Sequence, residues 1–151
     1  MNYYFAYGSN LSEEQMKKRC PNSKLIGKAV LKGYKLDFTL YSSKWEGGCA
    51  DIVGEENSEV WGLIYELSDN DIKKLDQYEC PAYRRVKLKV INTSDEEKEV
   101  YVYEVVNKKV FIAPSENYLD IIKKAAKKFN FLKEYSASLD LVKMNSKNKK
   151  E

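Results

Sequence analysis

The sequence predicts an α+β fold in which a curved, mostly antiparallel sheet, closed as a mixed β-barrel, carries flanking helices. Three observations predict it. Strand-type alternation fills the first two-thirds of the chain, a helical period governs the end, and no internal repeat or low-complexity block intervenes. At 151 residues the chain is one domain's worth.

The apolar run Tyr3-Tyr4-Phe5-Ala6 reads as a first strand that stops at Tyr7-Gly8-Ser9-Asn10-Leu11. Ser12-Glu13-Glu14-Gln15 is a capping-box pattern. It opens a short helix ending near Cys20-Pro21 and puts the Gly8 loop at a helix N-terminus. Lys24 to Leu31 and Tyr34 to Tyr41 alternate around Lys32-Gly33 and predict paired strands. Gly47-Gly48 predicts a loop before Cys49-Ala50-Asp51-Ile52-Val53. Glu59 to Leu67 reads as a central strand in which Gly62 admits another backbone or a ligand.

Ser68-Asp69-Asn70-Asp71 then caps a helix carrying Ile72, Leu75 and Tyr78. Tyr83 to Ile91 and Glu99 to Val106 form a hairpin across the polar turn from Asn92 to Glu97. A short strand is expected from Val110 to Ala113. Pro114-Ser115 opens a helix whose Tyr118, Ile121, Ile122, Ala125, Ala126 and Phe129 repeat every 3.6 residues. A last helix spans about Lys133 to Met144. The domain is expected to cover residues 1–140, with 141–151 a polar, disordered tail.

Composition excludes several functions. There is no histidine, which removes Ser-His-Asp and Cys-His triads, His-ligated metals and the imidazole base. A proton carrier must be a carboxylate, tyrosine, lysine or thiol, and a carboxylate with a raised pKa is the commonest solution. Cys20, Cys49 and Cys80 lack CxxC spacing and are odd in number, so no disulfide frame or metal site is expected. Most of the net charge of +3 lies in Lys147, Lys149, Lys150 and Glu151, and the near-neutral body lacks the footprint of a nucleic-acid binder. No apolar run suits a membrane span and no signal core follows Met1, so a cytoplasmic protein that binds no membrane is expected.

Two places carry chemistry. A chain leaving a strand through Gly8-Ser9-Asn10 into a helix aims backbone N–H groups at one spot, suiting a carboxylate or a developing oxyanion; the same residues also make an ordinary tight turn. Glu79 ends a helix just before Cys80-Pro81, facing the negative end of the dipole, where helix design prefers lysine. Its neighbours Tyr78, Cys80, Pro81, Ala82 and Tyr83 are weakly polar or apolar. A partly buried Glu79 there binds its proton tightly, the profile of a general acid/base; the alternative is a solvated helix-end charge. Cys49 and Cys80 lack a histidine base and read as buried structural thiols. Gly47-Gly48 makes no phosphate loop, since no Gly-Lys-Ser/Thr follows.

Taken together, Tyr7-Gly8-Ser9-Asn10-Leu11 after the first strand and Leu75-Asp76-Gln77-Tyr78-Glu79 after the strand Val60-Trp61-Gly62-Leu63-Ile64-Tyr65 resemble the γ-glutamylcyclotransferase (AIG2-like) family. The match extends through Tyr83-Arg84-Arg85-Val86 and Pro114-Ser115-Glu116-Asn117-Tyr118. The chain departs from the family at Cys80, where members often have glycine, which makes that turn less permissive.

The resemblance implies a cofactor-free enzyme of the carbon–nitrogen lyase or acyltransferase type. The substrate's own α-amine attacks its γ-amide carbonyl and releases 5-oxoproline, so no serine, thiol or metal is needed. Glu79 would take and return the proton. The backbone of Tyr7, Gly8, Ser9, Asn10 and Leu11 would receive the α-carboxylate or carbonyl oxygen, and Tyr118 and Tyr83 would line the pocket; core packing is the alternative for both tyrosines. The substrate is a γ-glutamyl-amino acid or related amide, with γ-glutamylamines left open, and the assembly a homodimer. A non-catalytic module binding a small carboxylated ligand is the competing reading.

Overall fold

The computed structural model describes residues 1–145. Its elements are β1 (Asn2–Ala6), α1 (Glu13–Arg19), β2 (Lys24–Ser42), β3 (Gly47–Leu67), α2 (Asp69–Glu79), β4 (Tyr83–Asn92), β5 (Glu97–Val105), α3 (Glu116–Lys128) and α4 (Lys133–Leu139), with one 3-10 turn, Ser9–Leu11, after β1. The five strands close a barrel in the order β1-β3-β2-β4-β5. All pairings are antiparallel except the closing one, where Tyr4 of β1 lies beside Tyr101 of β5 in parallel. This is the mixed barrel with flanking helices that the sequence predicts.

Helix starts follow side-chain chemistry. Ser12, Ser68 and Ser115 each accept the N–H three residues on, from Gln15, Asp71 and Tyr118. The apolar stripe of α3 is buried at Tyr118, Ile122, Ala125 and Ala126, and Leu119 joins it. Among the described residues no helix is long and apolar enough to cross a membrane.

Four local expectations are corrected. Lys24 to Tyr41 is not a hairpin broken at Lys32-Gly33 but one long strand, and both halves pair with β3. Gly33, at φ +85°, sits at a register shift in that ladder, so the glycine makes a bulge that bends the strand rather than a turn that reverses it. Gly47-Gly48 is the start of β3 rather than a loop, because the turn lies earlier, where Ser42 Oγ accepts the N–H of Trp45. Residues 110–113 form no strand: Ile112 N–H donates to Phe38 O and Gly48 N–H to Ala113 O, isolated bonds without a continuous ladder. The last helix stops at Leu139, and Asn145 beyond it donates to Pro114 O and Glu46 O. The rest of the predicted tail, 146–151, lies outside the described residues.

Gly62 does admit another backbone, that of β1. A Cβ there would meet Ala6 O and approach the Phe5 ring at 2.7 Å. Gly62→Ala is therefore expected to cost about 1–3 kcal/mol by overpacking, read as a lower denaturant midpoint with an unchanged m-value.

Candidate active site

Strand β1 ends at Ala6, and Tyr7 to Asn10 turn across the mouth of the barrel. There they meet Ala50 of β3, Glu79 at the end of α2, Tyr83 opening β4, Tyr103 near the end of β5 and Tyr118 in the first turn of α3. With Tyr4, these residues line a cavity of about 30 Å³, space for roughly one water. A groove of about 360 Å³ adjoins it, sharing Ser9, Glu79, Tyr83 and Tyr118 and adding Arg19, Tyr41, Lys44, Trp45, Cys49 and Tyr78.

Hydrogen bonds fix the walls. The Tyr118 hydroxyl accepts the Ala50 N–H at 2.9 Å and the Tyr83 hydroxyl donates to Ala50 O at 2.7 Å, so the two tyrosines hold both sides of one residue of β3. The Tyr7 hydroxyl donates to Tyr103 O. Asn10, almost fully buried, donates to the Tyr4 hydroxyl and accepts from Gln15 Nε2 and Arg19 Nη1. In the turn itself the Leu11 and Ser12 amides donate to Gly8 O and Ser9 O.

Glu79 is the carboxylate of the cavity. Burial raises its pKa from the ordinary carboxyl range, and the guanidinium of Arg19, 3.6 Å away, pulls it partly back. Burial also drives the tyrosines upward: Tyr7, Tyr83 and Tyr118 lie well above a free phenol, with the Glu79 charge a lesser contributor to each. Their hydroxyls are neutral donors at physiological pH. The Cys49 thiol is pushed up to about 11, mainly by burial, and carries no thiolate near neutrality.

Glu79, Tyr7, Gly8, Ser9, Asn10, Tyr83 and Tyr118 are thus brought together. Leu11 is not: it is 2% exposed, packs into the core and lines neither cavity nor groove. The Gly8 loop does not open α1: Gly8 is the N-cap of the 3-10 turn Ser9–Leu11, and Ser12 caps α1 beyond it. The burial of Glu79 does not come from its chain neighbours, since Tyr78, Cys80, Pro81 and Ala82 are all exposed; it comes from the tyrosines of other elements. Cys80 is an exposed thiol, not a buried one, and its backbone at φ −85°, ψ 150° is extended, so a non-glycine residue is unstrained there.

Tyr4, Ala50, Tyr103 and Arg19 also line the site, and no motif in the sequence marks them. Strand alternation is a signal for Tyr4; Arg19 carries only the ordinary mark of a basic residue in a last helical turn.

A family model described as gamma-glutamyl cyclotransferase, AIG2-like, matches residues 4–123. The chain is 32% identical over 149 residues to the gamma-glutamylcyclotransferases of Mus musculus and Homo sapiens, covering 94% of this chain and 79% of each relative. A solved gamma-glutamyl cyclotransferase structure superposes with a TM-score of 0.90 at 30% identity, covering 95% of this chain and 89% of that one. A human protein described as uncharacterized superposes at 0.89 with 31% identity over the same shares.

Proposed function

The chain belongs to the γ-glutamyl cyclotransferase, AIG2-like family, and we propose that it releases 5-oxoproline from γ-glutamyl-amino acids with Glu79 as the one proton carrier. The α-amine of the glutamyl group attacks its own γ-carbonyl carbon and forms the new C–N bond. Glu79 takes a proton from that amine and delivers it to the departing nitrogen as the old amide bond breaks, so the carboxylate is regenerated. Nothing is consumed besides the substrate.

The observation that carries the reading is the sharing of one cavity by a buried, proton-binding carboxylate and the Tyr7–Asn10 turn. The backbone of the Tyr7–Asn10 turn, which lines the cavity, suits the α-carboxylate or the developing oxyanion. Folding the glutamyl chain into a ring-forming pose accounts for much of the acceleration, since oriented intramolecular attack gains ~7–11 kcal/mol. The groove beside the cavity takes the leaving amino acid, and the substrate spans both. We assign the activity to residues 1–140, to a cytoplasmic protein with free cysteines, and to a homodimer.

Incubating the protein with γ-glutamyl-L-alanine and a panel of γ-glutamyl amides, with chromatographic detection of 5-oxoproline, tests the reading. Stoichiometric 5-oxoproline and free amino acid are expected. Tight binding across the panel with no product would return the non-catalytic module; turnover confined to γ-glutamylamines would reassign the leaving group. Light scattering checks the dimer.

A further inference from the structure

Arg19 is the last residue of α1, yet its guanidinium reaches groups on two other elements. Its Nη1 donates to Asn10 Oδ1 at 3.1 Å and lies 3.6 Å from Glu79 Oε2. Its plane covers the Tyr78 ring at 4.4 Å. The two charged side chains are 14% and 16% exposed, too enclosed for the pair to be read as a surface contact. Asn10 is itself held by Gln15 and by the Tyr4 hydroxyl, so one guanidinium nitrogen links a turn anchored to β1 with the carboxylate at the end of α2.

We infer that Arg19 is a positioning residue for the reaction, holding the Glu79 carboxylate in register with the Tyr7–Asn10 turn. The inference rests on the reading of Glu79 as proton carrier. A planar guanidinium stacked on a ring and bonded to a buried amide oxygen has little freedom, which fixes the carboxylate by charge and geometry together.

Arg19 also sets when that carboxylate is ionised. The groups facing Glu79 are Tyr4 and Tyr7 from β1 and its turn, Cys49 of β3, Tyr83 of β4, Tyr103 of β5 and Tyr118 of α3. Cys80 follows it in the chain, Asp76 lies one turn back on α2, and Lys44 stands across the groove. The tyrosines and thiols among these are shifted upward and stay neutral near pH 7. Arg19 forms the one ion pair to Glu79 among the described residues. It offsets burial, keeping the carboxylate available as a base, and it disfavours the ammonium form of an amine arriving beside it.

The test is the pH dependence of kcat/KM for γ-glutamyl-L-alanine in wild type, Arg19→Gln, Arg19→Lys and Glu79→Gln. Arg19→Gln is expected to move the acid limb upward by about one unit or more and to recover activity on the alkaline side. Arg19→Lys keeps the charge but not the planar group stacked on Tyr78, so its limb stays near the wild-type position while kcat falls at every pH. Carbon-13 NMR titration of the Glu79 carboxyl gives the same shift without turnover, covering a variant too slow to assay. An unmoved limb and unmoved NMR midpoint in folded Arg19→Gln, with a loss equal at all pH, would mean a merely structural role and overturn the inference. Wild-type turnover by Glu79→Gln would overturn the proton-carrier reading and the role of Arg19 with it; an inactive Glu79→Gln beside an unshifted Arg19→Gln would overturn the role of Arg19 alone.

Discussion

Glu79→Gln is expected to lower kcat/KM about 10²–10⁴-fold, the span that a positioned acid/base contributes, and to leave the protein folded and at least as stable at pH 7. The rate falls because glutamine cannot take a proton from the attacking amine or return one to the leaving nitrogen, and no histidine exists anywhere in the chain to substitute. KM is expected to change little, since the side chain keeps its size. Stability follows from the direction of the pKa shift. The folded carboxyl binds its proton more tightly than the unfolded one, so the native state holds more protons between the two pKa values and stability falls as pH rises through that window. The cost is complete above the folded value, and glutamine removes it. Glu79→Asp, which restores the charge but retracts it by one methylene, should recover only part of the rate, because misplacement by about 1 Å costs on the order of 10²-fold. Turnover of γ-glutamyl-L-alanine at the wild-type rate by Glu79→Gln would falsify the assignment.

What the sequence makes legible is local. The capping serines at 12, 68 and 115 and the helix ending at Glu79 all use contacts within one turn, and all appear where the pattern puts them. Lys32-Gly33 suits a turn and makes a bulge, because a glycine at positive φ serves either, and only pairing with a distant β3 decides between them. The site divides in the same way. The turn at Gly8 and the carboxylate at 79 are visible as irregularities in strand and helix patterns. Tyr4, Ala50 and Tyr103 join them only because the parallel closure of β1 on β5 and the pairing of β1 with β3 bring three chain-distant strands to one mouth. Leu11 illustrates the converse: it belongs to the motif yet packs inward.

Asp51→Ala is the substitution expected to destabilise the barrel most, by about 3–5 kcal/mol, from three buried donors left without their acceptor at ~1–3 kcal/mol each. Asp51 is fully buried in β3 and accepts five hydrogen bonds. Its Oδ1 takes the N–H groups of Ile52 and Val105 and the Lys108 ammonium; its Oδ2 takes the Thr39 hydroxyl and Lys108 again, all at 2.7–3.0 Å. One carboxylate therefore ties β2, β3, β5 and the segment after β5. Alanine leaves the Ile52 and Val105 amides and the Thr39 hydroxyl without that acceptor, while the part-exposed ammonium of Lys108 keeps Glu104 at 3.3 Å and Ile52 O at 3.2 Å. At ~2–4 °C per kcal/mol for a chain of this size, calorimetry should read a Tm lower by about 6–20 °C. Activity should fall as well, even below the transition, because Asp51 adjoins Ala50, whose N–H donates to the Tyr118 hydroxyl and whose C=O accepts from the Tyr83 hydroxyl. A strand that slackens at 51 loosens both tyrosines at the cavity wall. A Tm within about 2 °C of wild type would mean that the network is solvated rather than buried, and the barrel would then owe its closure to apolar packing alone.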